Sequence, residues 1–274
     1  MTHPLAPSSG LHSVDHQNDL SVRLRFLDAE RAKPAMQRAN QASVDALRLR
    51  PGSQVLDVGC GAGDDARRLA EVVGETGHVE AIDIDPQMIA EAVRRSTHQS
   101  ARVTFRVLDV YELDYDTGRF DACRAERTFL HLADPARALA QMVRVARPGS
   151  WVVVLDRDIE TRTIDAVDRA LTRRIINFWC DSFLGGWVGR SLPRLFREAG
   201  LEEIGIEPFT VVDTDYEAFN AQYDLPRIAA RAAAAGVIRA DEAERWIAAL
   251  RERHHAGSFF TSMTSFVVAG RKPA

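Results

Sequence analysis

The stretch Val55-Leu56-Asp57-Val58-Gly59-Cys60-Gly61-Ala62-Gly63 limits the fold more than any other part of the chain. An apolar run meets three alternate glycines and then a helical pattern over 64–73, with Ala66, Leu69, Ala70 and Val73 on one face. Glycine is needed where a turn takes positive φ or where a ligand touches backbone. In an open α/β sheet the first strand-to-helix turn is where nucleotides dock. The alternation continues along the chain. Strands are predicted over 54–58, 78–82, 102–107, 119–123, 151–155, 201–206 and 265–269, and helices over 86–95, 134–146 and 192–199. This order predicts an α/β protein with a doubly wound parallel sheet.

Around that sheet the sequence predicts a flexible arm over 1–19, rich in Pro, Ser, His and Asn, and an N-terminal helical segment over 20–50 broken near Pro34. The remaining residues, 51–274, form the sheet domain. Two insertions interrupt it, at about 158–188 and about 207–262. In the second, Thr214 with Glu217 and Asp241 with Glu244 fit capping boxes that start two helices, with Gly236 as the stop between them. The 274 residues carry 39 acids and 35 bases, a formal charge of −4, which disfavours a general nucleic-acid binder. The three cysteines, Cys60, Cys123 and Cys180, are widely spaced and form neither a disulfide framework nor a metal knuckle, so no metal is expected. No run is long and apolar enough to span a membrane, and MTHPLAPSSG lacks the pattern of a signal peptide, so a cytoplasmic setting is expected.

The turn departs from a dinucleotide fingerprint. Its third glycine position is taken by Asp64, with Asp65 beside it. Two carboxylates there repel a pyrophosphate, which disfavours an NAD oxidoreductase and favours a cationic, phosphate-free nucleoside. Asp83 ends the second predicted strand, where a carboxylate can accept both ribose hydroxyls. Asp85 suits the cap of the helix that begins at Pro86. Met88, one turn further, can face an adenine or simply fill the core. Asp109 ends the third strand, where it can accept an adenine amino group or cap a loop.

At these residues the chain resembles the class I S-adenosylmethionine (SAM)-dependent methyltransferases, of the small-molecule type that includes the ubiquinone/menaquinone biosynthesis enzymes. The resemblance rests on VLDVGCGAG, AIDIDPQMIAEA, VTFRVLDVYEL, RFDACRAERTFLHLADPARALAQMVRVARPGSWVVVLD and SFVVAGRKP. It implies a Rossmann-like seven-stranded sheet whose last strand inserts antiparallel, and SAM as cofactor. It further implies that Gly59, Cys60 and Gly61 run beside the methionine part of SAM and that Asp57 organises the turn. Asp83 would hold the ribose, Ile84 and Met88 would sandwich the adenine, Asp109 and Val110 would reach its amino edge, and Glu126 would line the cofactor mouth. Many relatives carry Asn, Ser or Asp near position 126 and a paired HisHis before the next helix, whereas this chain has Glu126-Arg127 and a single His131 preceded by Leu130. The acceptor chemistry of any one relative therefore does not transfer.

The resemblance implies methyl transfer by in-line displacement to O, N or C of a small, largely hydrophobic acceptor. His131 is the candidate general base, against the alternative of a structural histidine. Arg127 and Arg157, at the carboxyl edge of the sheet, are candidate anchors for an anionic substrate. Phe178, Trp179, Phe183, Trp187 and Tyr223 fall in the insertions and are expected to form an aromatic lid over the acceptor, although such stripes more commonly build core. Rival readings are a non-methylating reaction such as a cyclisation in the same pocket, and a nucleoside-binding protein without turnover. A nucleic-acid methyltransferase is disfavoured by charge and by a missing Asn/Asp-Pro-Pro-aromatic motif. The sequence leaves the oligomeric state open.

Overall fold

A computed structural model describes residues 19–96 and 102–274. The predicted arm over 1–19 lies outside the described residues except for Asp19. Seven strands, β1 (Gln54–Val58), β2 (His78–Asp83), β3 (Val103–Val107), β4 (Phe120–Glu126), β5 (Ala146–Ile164), β6 (Glu202–Asp213) and β7 (Thr261–Arg271), form one sheet in the order β3-β2-β1-β4-β5-β7-β6. β1 pairs parallel with β2 and β4, and β4 with β5; β7 lies antiparallel between β5 and β6. The Rossmann-like seven-stranded sheet with an antiparallel last strand is thus present.

Alternation along the strands sorts the core onto two faces. Leu56, Val58, Cys123 and Val154 pack on one face with α5 (Pro135–Val145), α6 (Arg169–Asp181) and α7 (Val188–Glu198). Val55, Ala81, Ala122 and Val153 pack on the other with α2 (Pro34–Ala46) and α3 (Asp64–Val73). α3 shows the logic of its sequence: Ala66, Leu69, Ala70 and Val73 are all buried, as their spacing requires. α4 (Pro86–Arg95) begins with Pro in its first turn, and the Asp85 carboxylate accepts the Gln87 N–H. α1 (Leu20–Ala32) is unlike these. Its apolar residues split between two faces, Leu20, Leu24 and Leu27 on one and Val22 and Phe26 on the other, and its one fully buried residue is Glu30.

The insertions differ from expectation. β5, β6 and β7 are longer than predicted and run into them: Thr163 and Ile164 pair with Ser262 and Thr261, and Asp213 pairs with Thr261. The polar run 158–164 hid this extension from a reading that looked for apolar strands. The second insertion holds three helices rather than two, α8 (Tyr216–Tyr223), α9 (Leu225–Ala234) and α10 (Ala240–His255). Asp224, with φ 53°, splits α8 from α9, capping the second by accepting the Arg227 N–H. The caps also shift: Asp215 rather than Thr214 caps α8, and α10 starts after Arg239, whose N–H is accepted by the Glu242 carboxylate. Helix α7 starts at Val188, four residues before the predicted start, with Pro193 inside it.

Candidate functional site

β1 delivers the chain into the glycine turn at the carboxyl edge of the sheet. Gly59 takes φ 71° and Gly63 φ 76°. A Cβ on Gly59 would sit 2.1 Å from Thr128 Oγ1, and one on Gly63 would sit 2.6 Å from the Phe105 ring. Both positions therefore demand glycine for conformation and for room. The N–H groups of Gly59 and Cys60 donate to Ile82 O at 2.8 and 2.9 Å, which ties the turn to β2. The Asp83 carboxylate clamps the turn from the side, with Oδ2 accepting the Gly61 N–H and Oδ1 the Asp85 N–H, each at 2.9 Å. Burial raises its pKa despite these bonds.

A cavity opens over this turn. Asp57, Gly59, Cys60, Gly61, Asp83, Ile84, Met88, Glu126, Arg127, His131 and Arg157 all line it. The structure thus brings together residues from the ends of β1, β2 and β4 and from the middle of β5 that the sequence spreads over a hundred positions. Ile84 is exposed at the rim and Met88 buried behind it, an apolar slot next to the Asp83 carboxylate.

Other predicted site residues lie elsewhere. Asp109 is not on the cavity wall; it caps a short turn, accepting the Tyr111 N–H at 2.9 Å, and Val110 is buried in the core. The insertion aromatics do not line the cavity either. Trp179, Phe183 and Tyr223 are buried core, Phe178 packs against that core, and Trp187 is an exposed N-cap of α7. Trp179 and Phe219 satisfy Tyr223 by ring contacts at 5.4 and 4.6 Å. Trp179, Phe219 and Tyr223 pack on one another, the Phe183 ring centre lies 6.3 Å from that of His131, and the expected aromatic lid is not part of the cavity lining.

What covers the cavity is α1, through Arg23, Phe26, Leu27 and Arg31. The sequence predicts this helix but not its place over the cavity, because its apolar residues are divided between two faces. It is held by charges: Arg23 to Asp85 at 2.6 Å, Arg31 to Asp65 at 2.6 Å, Arg95 to Asp28 at 3.3 Å, and Glu30 to Arg157. The insertion stands behind it, with the Phe26 and Tyr223 rings 5.6 Å apart in edge contact.

Beneath the turn lies a buried charged cluster. Arg124, 1% exposed, lies beside Asp57 in the β1–β4 register and donates to Asp57 Oδ1 at 3.4 Å, to Ser43 Oγ at 3.0 Å and to Glu126. Asn40 donates to Asp65 and Glu126, each at 2.8 Å. Burial alone would raise Asp65, but Arg124 and Arg31 hold it below the usual carboxylate range. Glu126 moves the other way, raised by burial and by Asp65. Asp57 is pushed up to about 7 by burial, against the pull of Arg124. Its Oδ2 is buried, has no hydrogen-bond partner and belongs to a cavity-lining residue. Arg124 was also missed, because the predicted strand stops at 123 while β4 runs on to Glu126 and buries both charges.

His131 sits on a short helical turn over Phe129–His131, positioned by Leu130 N–H donating to Asp156 Oδ2 at 3.2 Å. Asp156 is itself raised to about 6 by burial. Cys60 is half-buried and its thiol pKa is raised by burial; Cys123 and Cys180 are buried, the latter pushed up to about 12 by burial. Among the described residues no group of three or more His, Cys, Asp or Glu is arranged to hold a metal, and no helix is long and apolar enough to cross a membrane.

Comparison with known proteins places this geometry. A family model described as a methyltransferase domain matches residues 49–199. A 37.1 kDa protein in transposon TN4556 of Streptomyces fradiae is 35% identical over 247 residues, covering 90% of this chain and 70% of that protein. The ubiquinone/menaquinone biosynthesis C-methyltransferase of Bdellovibrio bacteriovorus is 37% identical over 105 residues, which are 38% of this chain and 44% of that enzyme. Among solved structures, phosphoethanolamine N-methyltransferase 2 of Haemonchus contortus, in complex with phosphomonomethylethanolamine and S-adenosylhomocysteine, superposes with a TM-score of 0.60 at 16% identity over 95% of this chain and 60% of that one, a likeness of fold.

Proposed function

The chain belongs to the SAM-dependent methyltransferases, and from that premise we propose that it methylates O, N or C of a small, largely apolar molecule in the cavity under α1. One observation carries the assignment of cofactor residues: the partnerless, buried Oδ2 of Asp57 at a cavity floored by the Gly59–Gly61 turn. A buried acceptor without a donor costs about 1–3 kcal/mol, and the ammonium of an amino acid would satisfy it. The acids Asp57, Asp64 and Asp83 along the same wall suit a cation and repel a pyrophosphate.

In this reading Gly59, Cys60 and Gly61 bound the methionine portion, Asp83 accepts the ribose hydroxyls with the lone pairs its two backbone bonds leave, and Ile84 and Met88 hold the adenine between them. Glu126 closes the mouth through its bonds to Arg124 and Asn40. Asp109 and Val110 stay outside this set. When bound, SAM supplies an electrophilic sulfonium methyl. The protein aligns the acceptor and excludes water, which α1 does by roofing the cavity with Phe26 and Leu27. Leu130 and His131 form the far wall, and His131 takes a proton where the attacking atom carries one.

Calorimetry with S-adenosylhomocysteine against NAD is the first test: tight binding of the former alone is expected, and preference for NAD sinks the reading. Labelled SAM incubated with a metabolite extract then separates methyl transfer from a non-methylating reaction by the mass of the product. His131→Ala is expected to lower turnover about 10²-fold or more if the acceptor must lose a proton; unchanged turnover removes the base.

A further inference from the structure

Around Glu30 one buried cation, Arg162, has no ion pair among the described residues, whereas Lys33 also pairs with Asp213 at 3.2 Å. Glu30 is 1% exposed, and its carboxylate accepts bonds from Arg157 Nη2, from Lys33 Nζ at 2.8 Å, from Gln222 Nε2 at 2.7 Å and from Tyr223 Oη at 2.9 Å. Burial would raise its pKa, yet Arg157, Lys33 and Arg127 hold it far below the usual carboxylate range. Behind Tyr223 lies Arg162, 2% exposed, its guanidinium 4.6 Å from the Trp179 ring centre and 5.0 Å from those of Phe219 and Tyr223. The hydrogen-bond partners of Arg162 are neutral, Thr261 and Met263, and its Nε has none. Arg127 has Nε and Nη1 buried without a hydrogen bond, and its nearest acid, Glu126 at 3.3 Å, is shared with Arg124 and Asn40. Its backbone is held at φ 50°, a costly conformation for a non-glycine residue.

A cation buried without an anion is expensive. Arg127 and Arg157 line the same cavity as the glycine turn and His131, so both guanidinium groups adjoin the acceptor end. The group that meets Arg157 now rides on α1, a helix fixed by ion pairs and fully burying no residue but Glu30. Glu30 also shows which anion fits, since planar guanidinium groups match a carboxylate.

We propose that Arg127 and Arg157 on the cavity wall are the acceptor's anion subsite, that the acceptor carries a carboxylate, and that this carboxylate replaces Glu30 as α1 shifts. The proposal rests on the methyltransferase reading, and it deepens it by naming the acceptor's charged group. An apolar body bounded by Phe26 and Leu130 with a carboxylate at one end satisfies the whole cavity.

The test uses the full chain, with and without saturating S-adenosylhomocysteine, and two probes of equal shape: benzoate and neutral benzamide. Benzoate is expected to bind the Glu30→Gln protein about tenfold or more tightly than wild type, because its competitor is gone, while benzamide changes little. Arg127→Gln is expected to weaken benzoate about fivefold or more with benzamide again unmoved. Equal affinity for the two probes, or no gain in Glu30→Gln, overturns the proposal. If Glu30→Gln fails to fold, Arg127→Gln in the otherwise wild-type chain decides, and an undiminished preference for benzoate overturns it. Failure of S-adenosylhomocysteine to bind wild type would instead count against the methyltransferase reading, whatever the probes do.

Discussion

Two walls enclose the cavity, and they are built by opposite means. The floor, from β1 through the glycine turn to α3, is held by backbone geometry and apolar burial: Leu56, Ala66 and Leu69 are fully buried, and the turn's N–H groups are fixed on β2. The roof, α1, is held by ion pairs and by hydrogen bonds at Glu30, with only partial burial of Phe26 and Leu27. Apolar packing is insensitive to salt and intolerant of movement. Exposed pairs such as Arg95–Asp28 are screened, each worth little, and can reform, whereas the buried Glu30–Arg157 pair is the roof's firm attachment. The contrast makes the floor a rigid template for the cofactor and the roof a part that can shift to admit ligands.

Perturbations should separate the two walls, and the largest effect belongs to the floor. Gly59→Ala places a methyl against Thr128 at φ 71°, and should cost about 2–4 kcal/mol in chemical denaturation and abolish S-adenosylhomocysteine binding. Wild-type stability in that variant would mean the turn is not rigid. Next comes Asp57→Asn, expected to weaken S-adenosylhomocysteine about tenfold or more.

The same group sets a pH dependence. Asp57, raised to about 7, is protonated below that pH in the free protein, so an incoming ammonium must first displace a proton. Affinity should rise from pH 6 to pH 8 by up to about tenfold per unit below the pKa, and Asp57→Asn should flatten the profile. By the same sign, the buried carboxyl weakens the apo fold as pH climbs from the acid range through about 7.

The roof predicts smaller numbers. Raising salt from about 0.05 to about 0.5 M should speed release of S-adenosylhomocysteine several-fold while leaving the thermal midpoint within a few degrees. An equal loss of both would put α1 in the cooperative core. Smallest of all, a double-mutant cycle on Arg23 and Asp85, both mostly buried at 2.6 Å, should return about 0.5–1 kcal/mol.

The floor was legible because its causes are local. Glycines that must take positive φ, the capping Asp85 before Pro86, and the apolar spacing of α3 act within a few residues of themselves. The roof was not, because Glu30 owes its burial to Arg157, Gln222 and Tyr223, 127 to 193 residues away. The insertion aromatics show the same division. Their spacing announced a buried face, and it could not say whether other helices or a ligand would bury them. Likewise the polar run 158–164 became strand because β7 was there to pair with it.

By itself, then, the sequence determined the alternating α/β sheet and the glycine turn with its flanking acids, since steric freedom and periodicity are properties of neighbours in the chain. Only the tertiary structure decided which wall closes the cavity, that Asp109 and the insertion aromatics are absent from its lining, and that Glu30 on α1 pairs with Arg157 of β5. Those outcomes depend on buried charges finding partners across the fold, and the energy of such pairs is set by distance and desolvation in three dimensions.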